Sequence, residues 1–140
     1  TEIENNVAVI TLDDGKANAL SFAMLEAINK ALDEAMKHAQ ATVLIGRPGI
    51  MSGGFDLKVI NGGNVTELNR LVEQGVRVLM RLYGYSQPLV VAATGHAVAL
   101  GAFMLLTGDY RFGTRGDFKI GLNETFDSNK FPKLIKLKDV

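Results

Sequence analysis

The chain has 140 residues, 47% hydrophobic and 21% charged, a globular composition long enough to bury a core and too apolar for a disordered chain. Fifteen basic and fifteen acidic residues cancel, which leaves no global attraction to nucleic acid or to an anionic membrane surface. There is no cysteine, and the two histidines, His38 and His96, lie far apart in sequence, so disulfides and thiolate metal sites are excluded and no metal centre is expected.

The β-branched run at 7–12 ends on Asp13-Asp14-Gly15 and predicts a buried strand followed by a turn. Ser21 is placed to cap a helix whose apolar residues Met24, Leu25, Ile28, Leu32, Ala35 and Met36 recur at helical spacing. Residues 41–46 predict a second buried strand, and residues 48–54 have loop chemistry. Asn64 or Thr66 then starts a long amphipathic helix through Leu68, Leu71, Val72, Val76, Leu79 and Leu82. After the break at Pro88, residues 89–93 read as a strand, 99–107 as a short buried helix and 109–112 as another strand. The segment 131–138, with Pro132 near its first turn, has the pattern of an amphipathic helix, although one of about two turns is not stable alone.

Strands alternating with helices predict α/β architecture with right-handed crossovers. No repeat, low-complexity tract or linker divides the chain, so one domain over 1–140 is expected. No apolar run approaches the ~20 residues that span a bilayer. Residues 1–6 lack the basic and apolar regions of a signal peptide. The expectation is a cytoplasmic protein with no membrane partner.

Three segments that each follow a predicted strand are candidates for binding, because ligand sites of α/β folds favour that end of the sheet. In Gly15-Lys16-Ala17-Asn18-Ala19-Leu20, small side chains let backbone groups approach a ligand; the alternative is an ordinary helix entrance. In Ser52-Gly53-Gly54-Phe55-Asp56-Leu57, paired glycines leave the Phe55 amide free to point outward; the alternative is a glycine turn with Asp56 as a cap. In Thr94-Gly95-His96-Ala97-Val98-Ala99-Leu100-Gly101-Ala102, a strand, a glycine turn and a helix offer a second free amide at Leu100. Two such amides aimed at one point make an oxyanion hole. His96 is readable as a base, but the simpler reading is a turn residue.

A carboxylate in the loop Gly121-Leu122-Asn123-Glu124-Thr125 is flanked by apolar residues. Burial there would raise the pKa of Glu124 and suit it to moving a proton; the alternative is a surface glutamate capping the next turn.

In order and spacing, Asn18-Ala19-Leu20, Ser52 to Leu57, Gly95 to Gly101 and Asp109-Tyr110-Arg111 resemble the crotonase (enoyl-CoA hydratase/isomerase) superfamily. The segment Gly121 to Thr125 is similar to the catalytic segment of Δ3,Δ2-enoyl-CoA isomerases. The likeness runs from about Val7 to Thr125. It implies a crotonase-like (ClpP/crotonase) spiral of ββα-type repeats, of which this chain would carry the N-terminal core. The family's C-terminal helical region, which covers the acyl pocket and builds trimers, would be absent.

The resemblance maps the oxyanion amides onto Phe55 and Leu100 and makes Glu124 the acid/base. It implies contacts to CoA at Lys16, Ala17 and Ala19, and at Ser52, Gly53, Gly54, Asp56 and Leu57. The substrate would be the CoA thioester itself, with no further cofactor, and the protein a homo-oligomer. Family hydratases carry a second glutamate eight residues after the glycine matched by Gly95, where this chain has Phe103. An isomerase is therefore favoured, with a hydratase or other crotonase-type enzyme, or a non-catalytic acyl-CoA-binding or self-associating domain, as alternatives. Two departures stand out: Leu100 occupies a usual glycine position, and Phe126 to Lys130 lacks the family's small and apolar residues.

Overall fold

The computed structural model describes residues 1–122. Its strands are β1 (Glu2–Glu4), β2 (Val7–Thr11), β3 (Ala41–Ile45), β4 (Gly49–Ser52), β5 (Leu89–Ala93), β6 (Gly95–Val98), β7 (Tyr110–Gly113) and β8 (Ile120–Gly121). The helices are α1 (Phe22–His38), α2 (Leu57–Ile60), α3 (Val65–Tyr83) and α4 (Leu100–Leu106). Glu124 and the segment 131–138 lie outside the described residues.

Two sheets form. One has the order β1-β2-β3-β5-β7 and the other β4-β6-β8. The β1/β2 pair is antiparallel, and every other pairing is parallel. From β3 onward each repeat gives one strand to each sheet: β3 then β4, β5 then β6, β7 then β8, with helices in between. This is the spiral of ββα units, and parallel strands require such crossovers.

The corners where the chain passes between sheets are tight. At Gly46 a Cβ would lie 2.7 Å from Thr94 Oγ1, and at Gly95 it would lie 2.6 Å from the Ile50 amide nitrogen. Only a bare backbone fits either corner. The Thr94 hydroxyl donates to the Arg47 carbonyl at 2.7 Å, which ties the two corners together.

Both long helices begin as their cap chemistry dictates. The Ser21 hydroxyl accepts from the Met24 amide at 3.1 Å. Of the two candidates for α3, Asn64 is the cap, accepting from the Glu67 amide at 3.0 Å. Leu25, Ile28, Leu32 and Ala35 of α1 are buried, whereas Met36 is exposed. On α3 the buried stripe is Leu71, Gly75, Val78 and Leu82, which leaves Val72 and Val76 exposed. Arg81 joins the helices, donating to Asn29 Oδ1 at 3.0 Å and to Asp33 Oδ1 at 2.6 Å. The core runs between helices and sheets through Leu20, Leu44, Met51, Val91, Leu100 and Met104. Among the described residues no helix is long and apolar enough to cross a membrane.

Two segments read as loop or turn are strands. Residues 49–52 form β4, and Gly95 opens β6, which pairs with it in parallel. The turn chemistry around Pro48 is real but local; pairing supplied from forty residues away decides the state of a short segment.

Candidate active site

The site is assembled from three chain passages that meet at the ends of β2, β4 and β6. Asn18 organises the first. It is fully buried, and its Nδ2 donates to the Leu12 carbonyl at 2.7 Å and to the Met51 carbonyl at 3.1 Å. Its Oδ1 accepts from the Asp14 amide at 2.9 Å, and its own carbonyl accepts from the Ser52 hydroxyl at 2.8 Å. One side chain therefore links the ends of β2 and β4 to the loop between them. Asn18 also has φ +49°, a conformation asparagine tolerates better than most residues.

Lys16 and Ala17 are exposed and Ala19 half-buried. Their carbonyls already accept internal bonds. Arg47 donates to Lys16 through Nε at 2.8 Å and also through Nη2, Gly53 donates to Ala17 at 2.9 Å, and Ser21 donates to Ala19 at 2.9 Å. The Ala17 and Ala19 carbonyls each keep one lone pair, whereas Arg47 engages the Lys16 carbonyl twice. Asp14 steadies the same loop, its Oδ1 accepting the Lys16 amide at 2.7 Å and the Asn18 amide at 3.0 Å. Partial burial pushes the Asp14 carboxyl up, but amide donors from Asn18, Lys16 and Ala19 and the charge of Arg47 outweigh it and hold the pKa below its ordinary value.

In the second passage the buried Ser52 hydroxyl accepts from the Gly54 amide at 3.1 Å. Gly54 has φ +91°, which a side chain would strain. The chain then forms a single parallel bridge between Phe55 and Leu20, using the Leu20 amide to the Gly54 carbonyl (2.8 Å) and the Asp56 amide to the Leu20 carbonyl (3.3 Å). That pattern engages the neighbours of Phe55 and turns its own N–H the other way. Asp56 is the cap of α2, accepting from the Lys58 amide at 3.0 Å, and Leu57 is exposed.

The third passage is β6 into α4. Ala99 at the junction has φ +54° and ψ −120° and no side-chain cap. Its carbonyl accepts from the amides of Ala102 and Phe103 at 3.0 and 3.2 Å. The Leu100 amide, at the first position of the helix, has no intrahelical acceptor. Neither the Phe55 nor the Leu100 amide has a hydrogen-bond acceptor among the described residues. Their side chains converge: a Cβ on Gly75 of α3 would lie 2.6 Å from Phe55 Cζ and 2.9 Å from Leu100 Cδ2.

His96 does not face this point as a free base. Its Nδ1 accepts from the Lys119 amide at 3.0 Å and its ring packs edge-on against Phe118. The sequence pointed to the Phe55 and Leu100 segments but missed three supports. Asn18 is quoted in a motif without a role, Ala99 carries no sign of its backbone, and Arg47 reaches the Lys16 carbonyl across thirty-one positions with no local signal.

The sequence profile of the enoyl-CoA hydratase/isomerase family matches residues 2–125. The chain belongs to the enoyl-CoA hydratase/isomerase family. This family member is 32% identical over 128 residues to enoyl-CoA delta isomerase 1, mitochondrial, of Rattus norvegicus, covering 89% of this chain and 44% of the rat protein. It is 29% identical over 126 residues to a probable enoyl-CoA hydratase of Bacillus subtilis, covering 87% of this chain and 48% of that one. Among solved structures, an enoyl-CoA hydratase/isomerase family protein from Pseudomonas syringae superimposes with a TM-score of 0.84 at 46% identity, covering 88% of this chain and 53% of that one. The crotonase fold of this family is thus the fold of the chain. The chain spans about half the length of the curated relatives it matches.

Proposed function

We propose that the protein binds an acyl-CoA thioester and moves a 3-enoyl double bond to the 2-position through an enolate. The observation that carries this reading is the pair of amides at Phe55 and Leu100, both without an acceptor among the described residues and both on residues packed against Gly75. Donors fixed in advance stabilise charge as it develops on the thioester oxygen without reorganising at that moment. The loop around Lys16, Ala17 and Ala19, clamped by Asn18 and Arg47, would lie along the CoA moiety together with Ser52 to Leu57. Glu124 would take a proton from the carbon next to the carbonyl and return it two carbons further on, so that no atom is gained or lost. This scheme uses the thioester as substrate and no additional cofactor.

The relatives carry both names, and Phe103 favours isomerase over hydratase. It is 41% exposed on α4, where family hydratases hold their second glutamate. A phenyl ring cannot activate water, whereas a double-bond shift needs one base. Product analysis decides: the reading expects interconversion of 3-enoyl-CoA and 2-enoyl-CoA, and hydration of the 2-enoyl substrate would refute it. Glu124→Gln should abolish turnover while leaving CoA binding nearly intact, and full turnover by this variant would remove Glu124 from the scheme.

The proposed function includes self-association. Val65, Val72, Val76, Met80 and Tyr83 form an exposed apolar stripe on α3, the kind of surface that associates. A monomer on gel filtration would count against it.

A further inference from the structure

Phe55 and Leu100 present side chains as well as amides, and those side chains decide what lies inward of the thioester. Leu100 is 7% exposed and belongs to the core, and the half-buried Phe55 packs against the same core. Both press on α3 at Gly75, where a Cβ would lie within 2.9 Å of Leu100 Cδ2. Beside them α4 and β4 touch backbone to backbone, since a Cβ on Gly101 would sit 2.8 Å from the Ser52 carbonyl oxygen. Behind them Met104 and Leu105 are buried. The space inward of the two amides is therefore filled by a phenyl ring, a leucine and helix backbone.

We infer that this packing makes the acyl end of the site shallow, so that the protein takes short-chain acyl thioesters and gains nothing from long ones. The inference rests on the acyl-CoA reading above and names its substrate class. A long acyl chain passing inward would have to displace Phe55 and Leu100 from interior contacts that are close-packed. The glycine at position 75 is what lets two large side chains occupy this space at once; it widens nothing for a ligand.

The test is calorimetric titration of the chain with free CoA, butanoyl-CoA and octanoyl-CoA. A channel that buried each added methylene would tighten binding about fourfold per step, or roughly two-hundredfold from butanoyl to octanoyl. The inference expects a ratio no greater than about fivefold. It also expects Leu100→Gly, and separately Phe55→Ala, to raise the octanoyl-to-butanoyl ratio at least about tenfold by opening the wall. If either variant fails to fold, the ratio in the unaltered chain decides alone. A hundredfold preference for octanoyl in the unaltered chain overturns the inference and leaves the acyl-CoA reading standing, and so does a folded Leu100→Gly protein with an unchanged ratio. Failure of free CoA to bind the folded chain overturns the reading itself and the inference with it.

Discussion

The ring of Phe55 and the side chain of Leu100 meet over the bare backbone of Gly75, each within van der Waals overlap of any Cβ placed there. These same two residues offer amides without acceptors among the described residues, so helix α3 holds in register the two peptide groups on which the proposed chemistry depends. Gly75→Ala adds helix propensity of about 1 kcal/mol but forces one of the two side chains to move, at about 1–3 kcal/mol. A net loss near 1 kcal/mol is expected in denaturant unfolding. A clear gain in stability would show that Phe55 and Leu100 yield without cost.

Ala99 pays a backbone penalty at the entrance to α4, with φ +54° and no side-chain cap. Relieving it is worth about 1–3 kcal/mol, less about 0.5–1 kcal/mol for the added freedom of glycine in the unfolded chain. Ala99→Gly is therefore expected to stabilise the protein by about 1 kcal/mol, read as a raised unfolding midpoint. A lowered midpoint would mean that the junction is not strained.

Asn18 makes two donations to main-chain carbonyls in the interior, to Leu12 and Met51. Asn18→Ala strands both acceptors and leaves a less tolerant residue at positive φ, so a loss of about 3 kcal/mol is expected. Ser52→Ala removes a hydroxyl that bridges the Asn18 carbonyl and the Gly54 amide and should cost about 1 kcal/mol. Equal losses in the two variants, measured by chemical denaturation, would contradict the central place given to Asn18.

The Asp14 carboxyl is held below its ordinary pKa, so its folded form prefers the charged state. Its stabilising contribution is complete above the unfolded value of about 4 and is lost as the pH falls through the lower folded value. Unfolding midpoints measured down the acid limb should therefore decline less steeply in Asp14→Asn, whose amide oxygen still accepts but does not titrate. Identical acid limbs in the two proteins would remove Asp14 from the account.

The sequence was most informative where chemistry is local. Ser21 and Asn64 cap their helices because a short polar side chain before an apolar periodic run satisfies an exposed amide. Periodicity identified α3 but not which part of its apolar arc faces inward: Leu71 and Leu82 are buried while Val72 and Val76 are not, a distinction set by the neighbours of the helix. β4 was illegible because its four residues follow Pro48 and sit among glycines, and become a strand only by pairing with β6. The reach of Arg47 to Lys16 and of Asn18 to Met51 joins segments about thirty residues apart, and no spacing rule encodes such a contact. The motif segments around Phe55 and Leu100 were readable because paired glycines and small residues mark places where backbone is left available.

The most direct test concerns the thioester carbonyl. Butanoyl-CoA labelled with carbon-13 at the carbonyl would be bound to the 140-residue chain and its carbonyl stretch compared, by difference infrared spectroscopy, with the same thioester in water. Two amide donors aimed at the oxygen from Phe55 and Leu100 polarise the bond, so the account predicts a lower frequency for the bound ligand. A saturably bound thioester whose carbonyl stretch is no lower than in water would contradict it.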